Sequence, residues 1–169
     1  MTAPLIVTAD FAPAELAFLD AERRAHFPPE RNILPAHLTL FHALPPSVES
    51  ELRRRLAEAA DREAPRAMLA GLRSLGTGVA YAVVSDELDA LRGDLADAFT
   101  GCLTAQDGQG WRAHVTIQNK VSAGTAQALL ADKQRDFRPR PLALAGLALH
   151  RYEQGPWRFV QRWKFRGIK

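Results

Sequence analysis

The pentapeptide Ala36-His37-Leu38-Thr39-Leu40 returns as Ala113-His114-Val115-Thr116-Ile117, 77 positions further on. Successive side chains on a β-strand point to opposite faces. As strands, both stretches place His and Thr on one side and aliphatic residues on the other. Each then has an apolar back and a front made of an imidazole and a hydroxyl. A shuffled chain of this composition holds about 0.05 matches to His-apolar-Thr-apolar, so two copies are not a chance echo. The pair restricts the fold to one that uses the same kind of strand twice, once in each half.

The rest of the chain follows that duplication. Residues 5–9, "LIVTA", predict a short strand, and Pro13 suits the first turn of a helix whose apolar positions include Leu16, Phe18 and Leu19 and which Pro28-Pro29 stops. Residues 37–43 predict the first His-Thr strand. Ser47 is placed to cap a helix that carries Leu52, Leu56, Ala59 and Ala60 on one face and ends before Pro65. Strands are predicted over 67–75 and 78–85 around Gly76-Thr77-Gly78. Ser85 is placed to cap a helix with Leu88, Leu91, Leu95 and Phe99 aligned, followed by a polar loop, "QDGQG", at 106–110. The second His-Thr strand covers 111–118. Ser122 or Thr125 opens a fourth helix with Ala126, Leu129 and Leu130 on one side, and strands over 141–153 and 157–166 flank Gly155-Pro156. The order is βαβαβ, then βαβαβ with a closing strand. No linker or low-complexity segment divides it. We expect an α+β fold of two pseudo-symmetric βαβαβ lobes within a single domain spanning 1–169.

Composition narrows the setting. With one cysteine, Cys102, no intrachain disulfide forms, which suits a reducing compartment. The amino terminus lacks a basic region followed by a long apolar run, and no stretch approaches the roughly 20 apolar residues that span a bilayer. The expected location is cytoplasmic, away from membranes. Net charge is only +3, unlike that of a protein that coats nucleic acid. The charges are uneven, however: from Gln134 onward nine Arg or Lys face only Asp136 and Glu153. Such a face attracts a phosphate-bearing ligand or simply solvates a strand surface.

Two imidazoles and two hydroxyls that converge make a poor metal site, because Thr is a weak ligand and no Cys or carboxylate stands at ligand spacing. They are not the i,i+4 histidines of a helical zinc site. A Ser-His-Asp arrangement needs one His and an activated Ser. Phosphodiester cleavage fits better. One group takes a proton from the attacking water and another gives one to the leaving oxygen, and two histidines near neutral pH divide those roles. Thr hydroxyls supply donors to the phosphoryl oxygens. Neither a metal nor a cofactor is then required.

Paired His-x-Thr-x strands in a small duplicated α+β chain resemble the 2H phosphoesterase superfamily, which includes the bacterial 2′-5′ RNA ligase-like proteins (RNA 2′,3′-cyclic phosphodiesterases). The resemblance covers the chain in element order and is specific at His37-Leu38-Thr39-Leu40 and His114-Val115-Thr116-Ile117. It implies antiparallel sheets around a central cleft, with the two motifs facing each other. It implies that His37 and His114 are the acid/base pair and that Thr39 and Thr116 hold the phosphate. The implied reaction opens 2′,3′-cyclic phosphates of RNA ends or nucleotides to 2′-phosphates, with reversible 2′-5′ ligation as a side activity. Which histidine is the base stays open. A hydrolase of a small cyclic nucleotide or of ADP-ribose cyclic phosphate is one alternative, and a non-catalytic RNA- or nucleotide-binding protein is another. None of these calls for an obligate protein partner.

Further residues are placed by parity and position. Phe41 shares the parity of His37 and Thr39, which aims it at a base in the cleft; the other reading is a core aromatic, the more frequent place for such a residue. Arg112 has the parity of His114 and adds positive charge. Lys120 follows the second motif, near a point where many bacterial relatives carry a basic residue. In His150-Arg151-Tyr152, Tyr152 or Arg151 reaches substrate from an outer strand. His42, on the opposite parity from His37, is expected as a strand-end histidine, and His26 as a helix-end one. Trp111, Trp157 and Trp163 are expected in packing, with Trp157 the most exposed.

Overall fold

The computed structural model describes residues 3–166; Lys169, counted in the basic run, lies outside them. The described residues form eight strands. They are β1 (Leu5–Phe11), β2 (Leu38–Leu44), β3 (Met68–Ser74), β4 (Val79–Val84), β5 (His114–Gln118), β6 (Arg140–Pro141), β7 (Leu144–Tyr152) and β8 (Trp157–Lys164). They build two four-stranded antiparallel sheets, ordered β2-β1-β7-β8 and β5-β4-β3-β6. The α+β fold of two antiparallel lobes is therefore as expected, and each motif strand, β2 and β5, is a sheet edge.

The sheets do not divide the chain at its midpoint. The first takes β1 and β2 from the amino-terminal part and β7 and β8 from the carboxy-terminal part, and the second takes the four strands between. β3 joins β4 rather than the first sheet. The reason is the turn between them: Leu75 N–H bonds the Gly78 carbonyl at 2.9 Å, with Gly76 at φ 80°. So tight a hairpin leaves its strands no choice but to pair with each other.

Five helices connect the strands: α1 (Pro13–His26), α2 (Glu49–Ala60), α3 (Asp86–Ala98), α4 (Ala105–Gly108) and α5 (Ala123–Asp136). Pro13 occupies the first turn of α1, and the chain leaves the helix at Phe27, ahead of Pro28. Ser85 caps α3, its Oγ accepting the Leu88 N–H at 3.0 Å, and Asp86, Glu87 and Asp89 add negative charge at that end. Ser122, not Thr125, caps α5. Ser47 does not cap α2. Pro46 to Val48 form a 3₁₀ turn that absorbs it, and α2 begins without a side-chain cap. The polar stretch at 106–110 is also not simply loop. Thr104 caps the short α4, whose Asp107 is only 2% exposed. Strand β5 starts at His114, three residues later than expected.

One apolar core runs through both lobes. Leu38 and Leu40 from β2 and Val115 and Ile117 from β5 are fully buried in it, with Leu19, Leu52, Leu88 and Leu91 from the helices. Each such side chain contributes about 1.5–3 kcal/mol on burial. This burial pins the register of both motif strands, because a slip of one residue would turn the aliphatic set to the cleft.

Each motif strand also carries a bulge at the same place. On β2, Thr39 pairs with Thr8 but the next pair is Phe41 with Val7. On β5, Thr116 pairs with Ala80 and the next pair is Gln118 with Val79. Gly78 fits beside the second bulge because any Cβ there would lie 1.9 Å from the Gln118 carbonyl oxygen. An inserted residue reverses the side-chain alternation beyond it. Phe41 therefore goes to the core, fully buried, rather than to the cleft as its parity predicted. His42 takes the half-exposed side instead.

Candidate active site

The apolar backs of β2 and β5 are anchored, so their polar fronts are set. His37, Thr39, His114 and Thr116 are all half-buried between fully buried aliphatic neighbours. The two histidines are held alike. His37 Nδ1 lies 2.8 Å from the carbonyl oxygen of Pro35, and His114 Nδ1 lies 2.9 Å from that of Arg112. A carbonyl only accepts, so Nδ1 carries the proton in each ring and Nε2 of the neutral ring is bare. Arg112, expected to lend its side chain, thus contributes its backbone; the side chain is exposed.

The surroundings disfavour positive charge. Burial lowers the pKa of His37 to about 4, against an opposing contribution from the Pro35 hydrogen bond; the charges of Arg23, His150 and His114 lower it further. Burial also lowers the pKa of His114, helped by the charges of Arg73, His42 and Arg112 and opposed by the bond to the Arg112 carbonyl. The charge of His114 thus reaches His37. Arg73 Nη1 stands 3.4 Å from His114 Nδ1 and 3.5 Å from the Arg112 carbonyl, which brings a guanidinium to the second motif.

Two buried arginines lock the lobes across the cleft in reciprocal fashion. Arg23 on α1 donates from Nη1 to the Thr116 carbonyl at 3.1 Å. Arg92 on α3 donates from Nε to the Leu40 carbonyl at 3.1 Å and stacks on the Phe41 ring at 4.4 Å. Trp111 Nε1 adds a bond to the Thr39 carbonyl at 3.0 Å. The free edges of β2 and β5 are thereby sealed by side chains from the opposite lobe.

The family model of the 2'-5' RNA ligase superfamily matches residues 11–156. The chain belongs to this superfamily. No curated protein matches the chain by sequence. Among solved structures it is similar to a Thermus thermophilus protein, with 18% identity, 100% of each chain covered and a TM-score of 0.67. It is similar to E. coli LigT complexed with 3'-AMP, with 18% identity, 98% of this chain and 99% of the other covered, and a TM-score of 0.62. E. coli LigT complexed with NADP+ is similar at 17% identity, with 98% and 99% covered and a TM-score of 0.64. These structural likenesses bear on the fold, which is that of the superfamily.

Beside the paired His-x-Thr strands, this chain has a cavity of about 770 Å³ that opens on His37. Thr8, His150, Trp157 and Phe159 help to line it, with Arg162 and Lys164 among its charged residues. The Trp157 ring lies 4.7 Å from that of His37 and 5.5 Å from that of His150. His150 Nε2 is 3.0 Å from Thr8 Oγ1, and burial lowers its pKa, as does Arg162, against the opposing charge of Asp10. Tyr152, two residues beyond His150, is 43% exposed at the end of β7 and is not part of this cavity. Arg151 turns to the other face and pairs with Glu49 at 2.5 Å. Lys120 is exposed just past β5, in a left-handed conformation at φ 64°. Among the described residues, no group of three or more His, Cys, Asp or Glu is placed to hold a metal ion, and no helix is long and apolar enough to cross a membrane.

Parity counting missed His42, His150, Arg73 and the contact of Trp157 with His37. His150 was within reach, since it shares its strand face with Tyr152 and the choice between them needed only the strand's end. The bulge that turns His42 leaves no mark in the strand's own composition.

Proposed function

We propose that this protein is a metal-independent phosphodiesterase that hydrolyses 2′,3′-cyclic phosphates of RNA ends or nucleotides. The observation that carries the reading is the matched pair of imidazoles. Both are fixed through Nδ1 by the carbonyl two residues earlier, and both sit beside a Thr on the same strand face. In the reaction, one bare Nε2 accepts a proton from water as the water oxygen attacks phosphorus. The bond from phosphorus to the 3′-oxygen breaks, and the other imidazole, protonated, gives its proton to that oxygen. The product keeps its phosphate on the 2′-oxygen. Thr39 and Thr116 donate hydrogen bonds to the non-bridging oxygens, where charge accumulates in the transition state. The first imidazole then releases its proton to solvent and the second takes one up, which closes the cycle.

Trp157 and Phe159 in the cavity next to His37 offer a stacking wall for a nucleobase. That E. coli LigT has been solved with 3'-AMP and NADP+ supports a nucleotide ligand for this chain. The cationic residues Arg162 and Lys164 keep ADP-ribose cyclic phosphate, with its additional phosphates, as a second candidate substrate. The deciding experiment offers the EDTA-treated protein a panel of 2′,3′-cyclic mononucleotides, oligonucleotides with a 2′,3′-cyclic end, and ADP-ribose cyclic phosphate. Conversion of one or more to a phosphomonoester is expected. Binding without conversion would favour a non-catalytic nucleotide-binding role.

A further inference from the structure

His42 presents a further imidazole on the face of β2 that carries His37 and Thr39, and the chain holds it with a carboxylate taken out of water. Asp107 on α4 is 2% exposed. Its oxygens accept the backbone N–H groups of His42 at 2.9 Å and of Ala43 at 3.0 Å, and one of them stands 3.0 Å from His42 Nδ1. Arg92 grips the Asp107 carbonyl at 2.7 Å, so the carboxylate is carried on a fixed support. Burial raises the pKa of Asp107, but the bonds from the His42 ring and from the His42 and Ala43 backbones outweigh it and hold the group ionised. An ionised carboxylate only accepts, so His42 Nδ1 carries its proton toward Asp107 and Nε2 is turned outward. The side chain of His42 is 36% exposed, on the face that the β2 bulge returned to the cleft.

The pseudo-symmetric position, just past β5, has no such group. It is Asn119, whose Oδ1 accepts bonds from Thr77 Oγ1 at 2.8 Å and Lys120 N–H at 2.9 Å. One side is tied into a turn, and the other carries a ring with a free nitrogen. Burial lowers the pKa of His114 first, and the charges of Arg73 and then His42 lower it further, so His42 is within electrostatic reach of that ring.

We propose that His42, oriented by Asp107, binds a non-bridging phosphoryl oxygen of the substrate from Nε2, as an imidazole distinct from the acid/base pair. When the ring carries its second proton, it is a charge-assisted donor with the buried carboxylate behind it. Asp107 from α4 bonds the ring, Arg92 from α3 holds the Asp107 carbonyl, and His114 on β5 lies within reach of its charge. The inference rests on the phosphodiester reading of the site, and its test keeps the two apart.

The test compares wild type with His42→Ala, His42→Gln and Asp107→Asn. The His42 substitutions leave the backbone N–H bonds to Asp107 intact, so the fold is retained and is checked by thermal unfolding. One readout is turnover of the preferred 2′,3′-cyclic nucleotide; the other is calorimetric binding of adenosine 2′-monophosphate, which needs no turnover. We expect His42→Ala to weaken nucleotide binding and to lower kcat/KM by about 10- to 100-fold. His42→Gln, which keeps a donor near the Nε2 position, should recover part of both. Asp107→Asn should weaken binding in the same direction, and added imidazole should partly rescue His42→Ala. A folded His42→Ala protein that binds and turns over within twofold of wild type overturns the inference and leaves the phosphodiesterase reading standing. If wild type converts no cyclic phosphate yet His42→Ala weakens nucleotide binding tenfold, the reading fails and the phosphate-binding role holds. A wild type that neither binds nor converts overturns both.

Discussion

Arg23 reaches from α1 to the carbonyl oxygen of Thr116, 3.1 Å away on the motif strand of the other sheet. Arg92 makes the counterpart contact from α3 to Leu40 on β2. Each motif strand is thus held by the opposite lobe, so lobe docking and the geometry of the two His-Thr faces are one structural fact.

Replacing Arg92 by Ala removes its bonds to the Leu40 and Asp107 carbonyls and its stacking on Phe41. Two buried carbonyls lose a charged donor, which costs about 2–4 kcal/mol. Arg92→Lys should recover only part of this, because an ammonium cannot span two carbonyls and stack on a ring. Urea unfolding of the three proteins measures the loss. A change below about 0.5 kcal/mol for Arg92→Ala would show that the clasp does not hold the lobes.

His37→Ala and His114→Ala should each lower kcat by about 10² to 10⁴ while the protein stays folded. On the proposed mechanism the two act in one transition state, so the double variant should lose much less than the product of the two single losses. Steady-state rates on the preferred cyclic phosphate decide this, and near-wild-type rates in either single variant would remove that histidine from the acid/base pair.

Acid should destabilise the protein through His37. Its folded-state pKa of about 4 lies below the ordinary 6.5, so the folded protein binds fewer protons than the unfolded chain between those values. The contribution is fully present above pH ~6.5 and is lost as the pH falls through the folded value near 4. It amounts to on the order of 1–3 kcal/mol for a half-buried ring. Denaturation of wild type and His37→Gln at pH 7 and pH 4.5 reads it directly. The variant should lose less stability over that interval, and equal losses would assign the acid sensitivity elsewhere.

Ligand binding should take up protons. Burial and neighbouring cations lower the pKa values of His37, His114 and His150 in the free site, whereas a bound phosphate anion favours their charged forms. A nucleoside 2′-monophosphate should therefore bind more tightly as the pH falls from about 8 toward about 6, where its own second ionisation intervenes. Calorimetry in two buffers of different ionisation enthalpy counts the protons, and net release would contradict the electrostatic account of the cleft.

Trp157→Ala should raise KM for cyclic nucleotides by roughly 5- to 100-fold, the range expected for loss of one aromatic platform under a base. kcat should move much less, because the ring lies beside His37 rather than in the proton path. Equal loss in kcat would mean instead that Trp157 acts by positioning the His37 imidazole.

Local chemistry made much of this legible before the fold was known. Ser85 reads as a cap because its hydroxyl serves an N–H three residues away, and Pro13 as a helix start because its ring fixes φ. Leu38, Leu40, Val115 and Ile117 read as core from strand alternation alone. Ser47 misled because the two prolines before it impose a 3₁₀ turn. "QDGQG" misled because the role of Asp107 depends on backbone N–H groups 64 and 65 residues away. Polar composition described its neighbours and not its partner.

Strand periodicity, a property of the backbone, determined from sequence that His37 and Thr39, and likewise His114 and Thr116, share the polar face of their strand and that their aliphatic neighbours take the other. Only the tertiary structure decided that Phe41 is core and His42 faces the cleft, since a bulge is a mismatch between two paired strands and not a property of either. It alone placed Arg23, Arg92 and Asp107 on motif strands that they never approach in the chain, because long-range burial selects hydrogen-bond partners by proximity in space.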